Sequence, residues 1–139
     1  MIQFYLLSVV LNIAGGYALC ADAPAPIGEP FEGVRLFFVD RTVRLVLGIL
    51  MAVTGILKLL YAIRGDLPIV GDFLPAIAGV AGGLTLLIEL YNRPEHRDEA
   101  ATRIPRKAET LFMSNRAVIG TAAIITGVVH FAFPTVLFL

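Results

Sequence analysis

The chain has 139 residues, of which 58% are hydrophobic and 16% charged, with a mean hydropathy of +0.83 and 11 basic residues balancing 11 acidic ones. So strong an apolar bias excludes an ordinary soluble domain, and the lack of a concentrated basic patch excludes a nucleic-acid binder. The single cysteine, Cys20, cannot form an intrachain disulfide, so cysteine usage is silent about compartment.

Residues 2–21 run without an ionised group for long enough to cross about 30 Å of hydrocarbon, and read as a first transmembrane helix. Small residues at Ala21 and Ala23 suggest a cleaved signal peptide instead, but no base precedes the apolar run and Pro24 would follow the cut. Ser8 and Asn12 share one face of this helix, where they can hydrogen-bond to a neighbour. Residues 22–41 form a loop: a linker with Pro24, Pro26, Gly28 and Pro30, then Phe31, Val34, Phe37 and Phe38 at helical spacing. That second part fits an interfacial helix or an irregular loop resting its aromatics on the bundle.

Residues 42–63 and 73–91 are the second and third spans, joined tightly enough to be antiparallel neighbours. Asp72 is placed to cap the third helix, with Pro75 tolerated in its first turn. Gly79 and Gly83 stand four apart in it, the spacing that lets helices approach closely in lipid. Residues 92–114 are the one strongly polar stretch, expected to form a short surface helix from Pro94 that breaks at Pro105. Residues 115–138 are the fourth span.

The loops 22–41 and 92–114 must share a side, and with the adjoining helix ends they hold Arg35, Arg41, Arg44, Arg93, Arg97, Arg103, Arg106, Lys107 and Arg116, against Lys58 and Arg64 opposite. This excess puts the long loops in the cytoplasm and both termini outside. Tyr5 and Tyr61 then fall at the outer boundary, and Tyr17 and Tyr91 at the inner one, as in an aromatic belt.

One skeleton occurs twice. RLVLGILMAVTGILK (44–58) returns 72 residues later as RAVIGTAAIITGVVH (116–130), and an AlaGlyGly fragment recurs at 14–16 and 81–83. At 3.6 residues per turn, Arg44, Gly48, Met51, Gly55 and Lys58 share a face, as do Arg116, Gly120, Ala123, Gly127 and His130. The expected fold is all-α: four transmembrane helices in two hairpin-like units, repeated in parallel about an axis along the membrane normal.

The repeat makes Lys58 and His130 equivalent. Lys58 stands about 21 Å along its helix from Arg44, still within hydrocarbon, where it either snorkels outward or contacts an anion or solute. His130 titrates near neutrality when unperturbed, and Pro134 would free the His130 carbonyl by displacing its helical partner. The alternative is a packed histidine with no further role. Thr54 and Thr126, one turn before these bases, either bond to them or bond back to their own helix. Arg44 and Arg116 are expected at lipid phosphates, and Gly48, Gly55, Gly79, Gly83, Gly120 and Gly127 at helix contacts. No catalytic set, metal cluster or cofactor motif is visible, and His96 and His130 fall on opposite sides.

From Arg44 to Glu89, RLVLGILMAVTGILKLL and GVAGGLTLLIEL resemble the first two helices of the DoxX family of small four-helix membrane proteins. The resemblance implies a bacterial inner-membrane protein, accessory in some members to thiol and quinone redox chemistry. Three functions follow as expectations. The first is a non-catalytic subunit, assembly factor or interaction partner in a homo-oligomer or larger membrane complex. The second is permeation of a small solute or ion past Lys58 and His130. The third is the redox accessory role that the resemblance implies.

Overall fold

The computed structural model describes residues 2–21, 31–64, 69–92 and 104–133, and every regular element among them is an α-helix. In order these are α1 (Ile2–Cys20), α2 (Glu32–Val39), α3 (Arg41–Arg64), α4 (Ile69–Tyr91), α5 (Arg106–Ser114) and α6 (Arg116–Ala132). Three stretches are long and apolar enough to cross a membrane: Gln3–Cys20, Arg41–Leu60 and Phe73–Tyr91. The α5–α6 pair, bent by 59°, passes the same test only when taken together.

The aromatic segment after the proline linker is a helix, α2. Phe38 turns inward with its ring edge to Tyr17 at 5.1 Å, while Phe31, Val34, Leu36 and Phe37 stay exposed. Asp40 ends α2 and starts α3: its carboxylate accepts the Thr42 and Val43 N–H groups at 2.9 and 3.1 Å, which satisfies donors that a helix start leaves orphaned. At the break between α5 and α6, the Asn115 side chain donates back to the Leu111 carbonyl at 2.8 Å.

One expected helix start is corrected. The apolar stretch Phe73–Tyr91 has the expected bounds, but the helix that carries it begins at Ile69, so Asp72 stands inside α4 rather than at its cap. Within the polar stretch a helix, α5, follows Pro105. Proline is well suited to a helix start, and its carbonyl accepts Ala108 and Glu109 N–H at 2.9 and 3.1 Å. The stretch 93–103, and with it His96 and the helix expected from Pro94, lies outside the described residues, as does Pro134.

The closest packing joins α3 to α4 and α1 to α6, because glycines remove side chains at both seams. A methyl at Gly83 would lie 2.6 Å from the Ala52 nitrogen and 2.7 Å from the Gly48 carbonyl oxygen. One at Gly16 would lie 2.5 Å from the Gly120 carbonyl oxygen. The Gly48/Gly55 face therefore looks at α4 and the Gly120/Gly127 face at α1, so the two do not meet. Between the seams Met51, only 1% exposed, inserts its thioether beside Gly15 and Gly82, and with Leu11, Ala18, Leu19 and Leu86 it forms the core. The unbranched thioether can fill an irregular gap that a branched side chain would not.

Candidate functional site

Two polar clusters occupy the interior. The first joins helices α1, α3 and α6. Lys58 and His130, both under a tenth exposed, bring Nζ and Nε2 to 3.3 Å. An ammonium can only donate, so with Lys58 charged the imidazole accepts at Nε2 and carries its own proton at Nδ1. The Tyr5 hydroxyl donates to the His130 carbonyl, its ring lies 4.6 Å from the imidazole, and the Lys58 ammonium sits 5.9 Å from the phenol centroid, within cation–π range. Lys58 is thus turned inward instead of snorkelling. Thr54 is buried and Thr126 half-buried, and among the described residues neither hydroxyl bonds to the two bases. The back-bonding threonine is Thr85, which donates to the Ala81 carbonyl at 2.7 Å.

Seven residues deeper along α1, Asn12 donates through Nδ2 to the Pro75 carbonyl at 3.0 Å, which ties α1 to α4. Ser8, 2% exposed, lies between Asn12 and Tyr5 on the same face. Tyr5, expected in an outer aromatic belt, is half-buried and also joins this line through its bond to the His130 carbonyl. The sequence signal was the Tyr5, Ser8, Asn12 spacing, which follows the helical period.

The second cluster lies toward α2 and α5. Arg44 is fully buried: Nη1 pairs with Glu89 Oε1, Nη2 donates to the Ala18 carbonyl at 2.9 Å and Nε to the Phe38 carbonyl at 3.0 Å. Arg44, expected at lipid phosphates, therefore links α1, α2, α3 and α4 from inside the bundle. Each of these bonds is charge-assisted, and together they offset the cost of removing a guanidinium from water. Arg116 approaches the other Glu89 oxygen at 3.9 Å with its side chain 30% exposed, so it keeps a route to the surface. Glu89 was not singled out in the sequence, although a lone acid within an apolar span is itself a signal that a base must face it. No group of three or more potential metal ligands is present among the described residues.

Comparison with known proteins places the chain in an uncharacterized family, whose model matches residues 1–130; the chain belongs to it. It is similar to an "Uncharacterized protein" of Treponema pallidum (strain Nichols), with 28% identity over 140 residues that cover 100% of both chains. No solved structure matches. The DoxX resemblance of residues 44–89 is overturned by this assignment, which spans nearly the whole chain where the resemblance covered a part. Apolar helices with an arginine, spaced glycines and a terminal lysine converge readily, because lipid favours the same few residue types.

Proposed function

We propose that this family member is an integral membrane protein whose α1, α3, α4 and bent α5–α6 pair each cross the bilayer, and that the interior Lys58–His130 pair binds or passes a small solute or ion. One observation carries the site: two bases, 72 residues apart in sequence, meet at 3.3 Å inside the bundle. Ionisable groups are expensive in an apolar interior and are kept there chiefly where they do chemistry. A subunit that only packs against partners would be served better by apolar side chains at both positions, which is why this reading stands above the scaffold reading.

The membrane setting draws on the outer surface. Along α3, Leu45, Ile49, Val53, Ile56 and Leu60 are 44–55% exposed, a continuous apolar face that a water-soluble bundle would cover with polar groups. The basic residues of the α2 and α5 end favour a cytoplasmic position for it, with both termini outside. The order of long helix, short amphipathic helix and long helix occurs twice, which supports the parallel repeat. So do the seams: Gly55 packs on Ala76 and Val80 of α4 as Gly127 packs on Val9 and Ile13 of α1.

The test is flux across proteoliposomes holding the full chain, with protons and then small inorganic anions as the permeant. The reading expects flux above empty vesicles that Lys58→Leu and His130→Leu each abolish. Equal flux in wild type and both variants would remove it.

A further inference from the structure

Tyr5 does more for the Lys58–His130 pair than lie beside it. α6 ends at Ala132, and the carbonyls of a last helical turn lack donors from their own helix. The Phe133 N–H serves the Val129 carbonyl at 2.9 Å, but the residue four beyond His130 is Pro134, which has no N–H to give. The Tyr5 hydroxyl fills that place from another helix: it donates to the His130 carbonyl, with the Phe131 carbonyl next at 3.5 Å. A tyrosine that only anchored α1 at a membrane surface would turn its hydroxyl to water or headgroups.

This bond fixes where the ring lies. Its centroid is 4.6 Å from that of the imidazole, tilted by 51°, and 5.9 Å from Lys58 Nζ, so one phenol covers both bases. Lys58 and His130 are 7% and 4% exposed while Tyr5 is half-buried, which makes the ring the outermost member of the three. It stands near the start of α1, at the end of the bundle where α6 stops. Turning the side chain about its Cα–Cβ bond would uncover the bases at the cost of one hydrogen bond and one cation–π contact, with no change in any helix backbone.

We propose that Tyr5 is a latched lid on the Lys58–His130 pair: the ring closes the pair off from this end of the bundle, and the hydroxyl bond to the His130 carbonyl holds it shut. The inference rests on the reading of the pair as a site for a small solute or ion, and it adds where that site is entered.

The experiment is carbethoxylation of His130 by diethyl pyrocarbonate in the full chain held in lipid nanodiscs, which leave both faces of the bilayer open, with the His130 and His96 peptides read separately by mass spectrometry. Wild type is compared with Tyr5→Phe, which keeps the ring and drops the latch, and with Tyr5→Ala, which drops both. His130 is expected to react slowest in wild type, about two- to tenfold faster in Tyr5→Phe, as loss of one hydrogen bond allows, and fastest in Tyr5→Ala. Maleimide alkylation of Cys20, at the opposite end of α1, is read on the same samples and is expected to stay constant. Equal His130 rates in all three proteins overturn the proposal. So does a rise at Cys20 that matches the rise at His130, since that marks a loosened bundle rather than an opened lid. Should Tyr5→Ala fail to fold, Tyr5→Phe against wild type still decides. Flux separates this inference from the reading beneath it: flux with equal His130 rates removes the lid alone, whereas graded rates without flux keep the lid and remove permeation.

Discussion

At the α2 and α5 end of the bundle polar side chains meet as opposites, Arg44 and Arg116 around Glu89; at the other end two bases, Lys58 and His130, meet each other beside a phenol. The first arrangement matches charge with charge and spends the remaining Arg44 donors on the Ala18 and Phe38 carbonyls. This cluster ties four helices together. The second brings two bases into contact, and under the proposed function it is the one that meets a solute or ion. Similar sequence skeletons thus carry an ion-paired lock at one end and a contact between two bases at the other.

The largest expected effect breaks the lock. Arg44→Leu removes the close partner of the largely buried Glu89 and leaves it the longer Arg116 contact, and should cost about 3–5 kcal/mol in denaturant unfolding in detergent micelles. Arg44→Leu combined with Glu89→Leu should recover most of that loss. Arg116→Leu, at a longer and partly exposed contact, should cost no more than about 1 kcal/mol. Equal losses at Arg44 and Arg116 would erase the asymmetry on which the comparison stands.

Next comes the seam that sets the distance between the ends. Gly83→Ala drives a methyl into the α3 backbone and should cost about 1–3 kcal/mol by the same unfolding assay. At the Lys58–His130 end, Tyr5→Phe removes the hydroxyl from the His130 carbonyl and should cost about 0.5–1.5 kcal/mol, well below Arg44→Leu. The smallest effect is a control: Gly33 of α2 has nothing within 4 Å of an added methyl, so Gly33→Ala should be neutral or stabilise by up to about 1 kcal/mol through helix propensity.

The helical period read Gly48, Met51, Gly55 and Lys58 onto one face, and that face is buried, because lipid and core differ most sharply in whether they tolerate a gap or a charge. Partners across the bundle were not legible in the same way. Arg44 and Glu89 lie 45 residues apart and Tyr5 and His130 lie 125 apart, and no local pattern encodes such pairings. The start of α4 at Ile69 went astray for a different reason: Asp72 and Pro75 together imitate a helix start, and a local signal of that kind does not fix where the helix begins.

The account depends most on the contact between Lys58 and His130 inside a lipid-embedded bundle. Solid-state NMR on nitrogen-labelled protein in bilayers tests it directly, through the coupling between the Lys58 ammonium and the His130 ring and the ring's response to Lys58→Leu. The account predicts a through-space correlation between the two nitrogens and a changed Nε2 shift in the variant. Nitrogens too far apart to correlate, with an imidazole signal indifferent to Lys58, would contradict it.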